Sequence, residues 1–223
     1  MDGNRRWALA RQLPGKNGHR AGRDTLRELV KSCLELGIPY LTVFAFSTEN
    51  WKRSADEIGF LWVLLRETLE REAKKLCEND VRLRFIGEIG ELAPDLQVRI
   101  RRAEGLTATS RSLTLNIALN YGGRREIVAA ARQLAQAVLA GELAPTQIDE
   151  SVFSTYLYTK DQPDPDLLIR TSGEFRISNY LLWQLAYAEI YVTKALWPDF
   201  NRQDLCEALL EYQRRDRRFG ARP

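Results

Sequence analysis

Apolar residues recur along the chain with two different periods, and the switches between them lay out alternating helices and strands. In DTLRELVKSCLEL, Leu26, Leu29, Val30, Cys33 and Leu34 share one helical face, and Gly37 with Pro39 ends the helix. YLTVFAF (residues 40–46) then reads as a buried strand. Ser54 and Glu57 have the spacing of a capping box, which predicts the start of a helix carrying Ile58, Leu61, Leu64, Leu65, Leu69 and Leu76. VRLRFIG (81–87) and LTLNIAL (113–119) are two further strands, and a helix over 124–140 stops at Gly141. Short strands at DLLIR (166–170) and AEIYV (188–192) flank ISNYLLWQLAY, which reads as helical. A last amphipathic helix covers 202–216. Strands alternating with helices require crossover connections, so the expected fold is α/β, with a mainly parallel central sheet flanked by helices.

Composition narrows the function classes. The 223 residues fit one domain, expected to span 1–223, and suffice for a sizeable core. Basic residues number 33 against 30 acidic ones, so the net charge is only +3. A nucleic-acid binder is disfavoured on that balance, and any anion site must come from local arginine placement. Cys33, Cys77 and Cys206 are widely spaced and form no C-x-x-C pair. Neither a disulfide framework nor a zinc site is indicated, and a reducing, cytoplasmic setting fits. The longest apolar run, FLWVLL, is far short of the ~20 residues of a bilayer span, so the expected protein is soluble or at most peripheral to a membrane.

The segments that follow the strands carry the chemistry. STENW follows the first strand, NYGGRR the third and RTSGEFRIS the fourth, and in open parallel sheets that edge is where ligands sit. In RTSGEFRIS, Arg170 and Arg176 offer planar donor forks, Ser172 and Ser178 hydroxyls, and Gly173 a close backbone approach, all suited to phosphate. A surface turn with two solvated arginines is an equally good reading of the spacing. A helix beginning at Ile177 would aim its amides at the same anion. NYGGRR lacks the spacing of a nucleotide P-loop and reads more plainly as a Gly-Gly turn opening a helix. His19 is the only histidine, with no nucleophile beside it; a structural hydrogen bond is its plainer role. Trp51 alone passes for a core anchor, and Glu189 for a cap or a metal ligand. The acidic loop DQPDPD reads as an exposed turn, and D-D-x-x-D is absent from the chain.

Together and in this order, MDGNRRWA, GHRAG, FAFSTENWKR, LNIALNYGGR, DLLIRTSGEFRISNYLLWQLAYAEIYVT and LWPDF resemble the cis-prenyltransferases over essentially the whole chain. The closest kind is the bacterial undecaprenyl diphosphate synthase. That resemblance implies condensation of isopentenyl diphosphate onto an allylic diphosphate such as farnesyl diphosphate, with Mg2+ as cofactor. It implies a hydrophobic tunnel for the growing chain, a homodimer, and a product delivered to the membrane. By position, Asp2 and Asn50 would be catalytic, and Asp2 and Glu189 the metal-associated carboxylates. Gly3, Asn4, Arg5, Arg6 and Trp7, with His19, would hold the allylic diphosphate. Arg170, Arg176 and Ser178 match the isopentenyl diphosphate site. Ser47 and Arg53 line the reacting end with Asn50, and Trp51 and Glu57 belong to a segment that closes over substrate. Arg218 and Gly220, in RRFG, match a tail that reaches the partner's site. Phe60, Leu61, Leu64 and Leu65 would wall the tunnel.

Arg5 stands where many members have glycine, and Gly15 where an arginine is common, with Lys16 adjacent. Family members also carry a short hydrophobic strand directly before M-D-G-N, so a sheet member is expected to be missing ahead of Met1. The rival reading is a non-catalytic partner subunit of a prenyltransferase dimer. Such subunits tend to lose the catalytic Asp and the phosphate arginines, whereas Asp2, His19, Arg170, Arg176 and Glu189 are all present here.

Overall fold

A computed structural model describes residues 1–217. The helices are α1 (Asn4–Ala10), α2 (Gly15–Glu35), α3 (Ala55–Glu78), α4 (Pro94–Leu106), α5 (Gly123–Leu139), α6 (Glu150–Ser154) and α7 (Arg202–Gln213). The strands are β1 (Tyr40–Ser47), β2 (Val81–Ile86), β3 (Leu113–Tyr121), β4 (Leu167–Arg170) and β5 (Glu189–Val192). All strand pairs are parallel, but they fall into two sheets, β1-β3-β2 and β4-β5.

The parallel strands arise where the sequence is β-branched and apolar, and β3 is buried along nearly its whole length. Leu83, Leu115 and Ile117 join Leu29, Val30 and Cys33 of α2, Leu69 of α3, and Leu96 and Ile100 of α4 in the main core. A smaller cluster of Ile86, Ala118, Tyr121, Tyr180 and Leu181 forms separately. Strict alternation along β3 would place Tyr121 with Leu119. Asn120 instead takes φ 48°, beside a register shift, and Tyr121 joins the other cluster.

Residues 1–3 lie between the two sheets. The Met1 nitrogen donates to the Phe44 carbonyl of β1 at 3.2 Å. The Asp2 carbonyl accepts from the Thr171 and Ser172 hydroxyls beyond β4 at 2.9 and 2.8 Å. From there α1 crosses α2 at very close range. A Cβ on Gly18 would sit 1.9 Å from the Asn4 carbonyl oxygen, and one on Gly22 would sit 2.2 Å from Asn4 Oδ1. The glycines of GHRAG are therefore the surface on which the MDGN turn rests.

One expected element does not form. Residues 177–187 are a succession of turns, not a helix. Ser178, Asn179 and Leu181 adopt φ values of 50°, 61° and 42°, which a right-handed helix excludes. Other bonds take the place of the helical ladder: Leu181 N donates to Tyr121 Oη at 3.1 Å, and the Asn179 carbonyl accepts from Gly123 N at 2.7 Å. With no helix after Ile177, there is no helix N-terminus there to face an anion.

Candidate active site

The carboxyl ends of β1 and β4, the Met1–Arg6 turn and the first turns of α2 and α3 converge on one cavity of about 940 Å³. Its walls divide by chemistry. Leu26 and Val30 of α2, Leu64 and Leu69 of α3, and Phe85 and Ile117 of the sheet make an apolar interior. The polar lining brings together Asp2, Gly3, Asn4, Arg5, Arg6, His19, Ser47, Asn50, Arg53, Arg170, Arg176 and Ser178. Residues more than 170 positions apart thus share one mouth because parallel strands deliver their C-terminal loops to the same edge.

Asp2 is the centre of the polar part. Arg170 Nη2 donates to its Oδ2 at 2.9 Å, and Arg6 Nη2 lies 3.2 Å from Oδ1. Burial pushes the Asp2 carboxyl up, but the Arg170 and Arg6 guanidinium groups outweigh it and hold the group below its ordinary value. Asp2 is therefore anionic at neutral pH. Gly3 must be glycine: its φ is 106° and a Cβ would meet Ser172 Oγ at 2.4 Å. Two buried atoms beside the Asp2 turn, Asn4 Oδ1 and Arg170 Nε, have no hydrogen-bond partner. Unsatisfied polar atoms at a cavity are the groups a polar ligand would satisfy.

The second cluster gathers at the start of α3. Ser54 caps that helix by accepting from Glu57 N, but the Glu57 carboxylate does not return to the cap as a capping box would have it. It turns to Arg53 at 2.9 Å and to His19 Nε2 at 3.5 Å. Burial lowers the His19 pKa, and Arg53 adds to that effect against the opposing pull of Glu57. The imidazole is thus predominantly neutral at pH 7. Asn50 is fixed by accepting from Ser47 N through Oδ1 at 3.1 Å.

Other expected residues stand elsewhere. Trp7 is outside the cavity wall, donating to Asp199 at 2.6 Å with Arg11 over its ring. Trp51 also stands outside the cavity wall: it donates to Asn120 Oδ1 at 2.7 Å and lies against Phe46 and Trp62, but it is 44% exposed and so is not a core anchor. Glu189 opens β5 opposite Leu167, three residues from the Arg170 level and so roughly 10 Å along the strand. Its carboxylate pairs with Arg215 at 2.8 Å. Of the four residues expected as a tunnel wall, Leu61, Leu64 and Leu65 line the cavity, while Phe60 instead packs near His19 and under Arg20. Arg218 and Gly220 lie outside the described residues. Among the residues not singled out beforehand, Glu49 and Asn179 join the wall, linked by a 2.9 Å bond from Asn179 Nδ2. No periodicity marks either one; only the turn that brings 179 back to 49 does.

Among the described residues no group of three or more His, Cys, Asp or Glu forms a metal cage. A single half-exposed carboxylate such as Asp2 suits a hard divalent cation whose other ligands are substrate phosphates and water. Nor, among the described residues, is any helix long and apolar enough to cross a membrane.

Known proteins resemble this chain over nearly its whole length. The prenyltransferase family model, described as undecaprenyl diphosphate synthase, matches residues 1–220. An isoprenyl transferase of Heliobacterium mobile is 54% identical over 99% of this chain and 85% of its own length. The farnesyl-diphosphate-specific ditrans,polycis-undecaprenyl-diphosphate synthase of Pseudomonas aeruginosa is 50% identical over 99% and 88%. The crystal structure of lavandulyl diphosphate synthase from Lavandula x intermedia, in complex with dimethylallyl diphosphate, superposes with a TM-score of 0.95. It is 40% identical over 99% of this chain and 95% of that one. An acidic–basic mouth opening on an apolar cavity, in a chain matched end to end by these proteins, leads to one conclusion: the chain belongs to the undecaprenyl diphosphate synthase family of prenyltransferases.

Proposed function

We propose that this enzyme condenses isopentenyl diphosphate onto an allylic diphosphate of the farnesyl type, giving a polyprenyl diphosphate that serves as a lipid-carrier precursor. The observation that carries this reading is the junction of the Asp2–Arg170–Arg6 cluster with the apolar cavity of about 940 Å³. A diphosphate needs cations, and a prenyl tail needs a dry wall; here the two adjoin.

Arg6 and the Gly3–Asn4 turn hold the allylic diphosphate, and Arg170, Arg176 and Ser178 hold isopentenyl diphosphate. As the allylic carbon–oxygen bond breaks, negative charge grows on the departing diphosphate. Arginine forks already in place stabilise it without reorganisation. Neutral His19 contributes a hydrogen bond there rather than a charge. Asn50, oriented through Ser47, stands at the reacting end, where isopentenyl diphosphate loses its proton. Leu61, Leu64 and Leu65 keep water from the carbocation-like fragment. Asp2 is the residue that would hold Mg2+, which when bound neutralises diphosphate charge. Glu189, at the start of β5 and paired with Arg215, is the second candidate carboxylate. We place residues 1–223 in one catalytic domain that works as a cytoplasmic homodimer and releases its lipid at the membrane face.

The partner-subunit reading is disfavoured because Asp2, His19, Arg170 and Arg176 are retained and all face the cavity. Incubation with farnesyl diphosphate, labelled isopentenyl diphosphate and Mg2+, followed by sizing of the products, tests the proposal. A ladder of products longer than farnesyl is expected; no condensation at all would sink it.

A further inference from the structure

The cations assigned to the two diphosphates are joined by carboxylates into a single line of alternating charge. It runs Arg170, Asp2, Arg6, Glu174, Arg176, with contacts of 2.9, 3.2, 2.9 and 2.6 Å in turn. Glu174 divides its two oxygens between the arginines: Oε1 accepts from Arg6 Nη1 and Oε2 from Arg176 Nη1. Arg6 and Arg176 both line the cavity, whereas Glu174 is not part of its wall. The carboxylate therefore grips the two guanidinium groups from behind.

The turn that places it there is held without its side chain. Ser172 and Gly173 take φ values of 75° and 69°. Ser172 N donates to the Ala195 carbonyl and Gly173 N to the Thr193 carbonyl, each at 2.8 Å. Ser172 Oγ donates to the Asp2 carbonyl at 2.8 Å. Such a backbone outlier, fixed on both sides, delivers the next side chain to a defined place.

We infer that Glu174 is a positioning residue that yokes Arg6 to Arg176, so that the cations for the two diphosphates are set at a fixed spacing. This rests on the assignment of Arg6 to the allylic diphosphate and Arg176 to isopentenyl diphosphate. Through-space electrostatics alone predicts the opposite outcome on removal of Glu174. Deleting an anion beside two arginines strengthens their field and tightens binding of anionic substrates. A yoke, once removed, frees both arginines to move and weakens binding of both.

Glu174→Gln keeps the size but replaces one of the two accepting oxygens with an NH2 donor, so in this geometry only one arginine keeps its bond. Steady-state kinetics on the full chain with farnesyl and isopentenyl diphosphates should show KM for both rising by about threefold to tenfold. The turnover number should fall as well, because Arg6 loses the fixed placement from which it stabilises the departing diphosphate, while thermal unfolding should be unchanged because the turn is held by backbone bonds. The effects of Arg6→Lys and Arg176→Lys on KM should be non-additive in the wild-type background and additive with Glu174→Gln. A KM for isopentenyl diphosphate that falls or stays constant in Glu174→Gln overturns the inference, as does additivity in both backgrounds. Arg176→Ala tests the underlying assignment separately: if it leaves KM for isopentenyl diphosphate unmoved, the site reading is wrong whatever Glu174 does.

Discussion

Two strand-end segments of this protein share glycine and a pair of arginines but have opposite fates. Both lie at the carboxyl end of a parallel strand: Asn120–Arg125 spans the end of β3 and the start of α5, and Arg170–Ser178 runs on from the last residue of β4. In the first, every feature that suggests phosphate binding except the exposed Arg124 is engaged internally. Gly123 N and Arg124 N donate to Asn179, Arg125 pairs with Glu91, and the two glycines leave room for Thr48, Asn179 and Leu182. In the second, Arg170 and Arg176 reach the cavity, and their carboxylate partners Asp2 and Glu174 are part-exposed, with Asp2 alone in the cavity wall. Arg170 Nε is left buried with no partner. Both loops pair their arginines with carboxylates; what separates them is that only the second brings its arginines to the cavity and leaves a buried donor there without a partner.

Substitutions can break that comparison. The largest expected effect is at Arg170: Arg170→Ala should lower kcat/KM by at least about 100-fold, because it removes transition-state stabilisation and leaves Asp2 without its main partner. Arg125→Ala should leave kcat/KM within about twofold, since a surface pair with Glu91 contributes only ~0–1 kcal/mol to stability. Parallel steady-state assays of the two variants check this, and equal losses would erase the distinction.

Next in size is the role of the glycines. Gly123→Ala would put a Cβ 2.7 Å from Leu182 Cγ and 3.1 Å from its backbone nitrogen, so it should cost about 1–3 kcal/mol in denaturant unfolding. At Gly173 nothing stands nearer than Lys194 Cγ at 4.0 Å, and only the φ of 69° resists a side chain. Gly173→Ala should cost about 1 kcal/mol. Reversal of that order would mean the β3 loop is less tightly packed than its contacts indicate.

The smallest expected effect is a titration. His19 is the only histidine, so one imidazole resonance reports it. Burial lowers its pKa, so the midpoint should fall below the usual value of about 6.5. Since the folded state prefers the neutral ring, its contribution to stability is present above that value and is lost as pH falls through the lowered one. Glu57→Gln should move the midpoint lower still, because Glu57 holds the proton on. An unchanged midpoint would show that the pair at 3.5 Å does not form in solution.

The strands were legible because near-continuous apolar runs between turn residues have few other solutions; β1 and β4 begin or end within one residue of where the pattern places them. Two features were not. Helix α1 has seven residues and buries only Ala8, so no periodic face announces it. The 177–187 segment carries an apolar pattern compatible with a helix, yet tertiary bonds from Tyr121, Gly123 and Arg124 select left-handed turns there. For the site, order along the chain located the loops, since parallel strands bring their ends together. The partners Glu174 and Asn179, and the pairing of Glu189 with Arg215, depend on tertiary geometry that no local pattern encodes.

The account rests on Asp2 being the carboxylate of the reacting mouth. The direct test is single-turnover condensation of farnesyl diphosphate with labelled isopentenyl diphosphate and Mg2+ by wild type and Asp2→Asn, with isopentenyl diphosphate binding measured alongside. The account predicts that the first condensation slows by about 100-fold or more in Asp2→Asn while binding persists. A first-condensation rate equal to that of the wild type would contradict it.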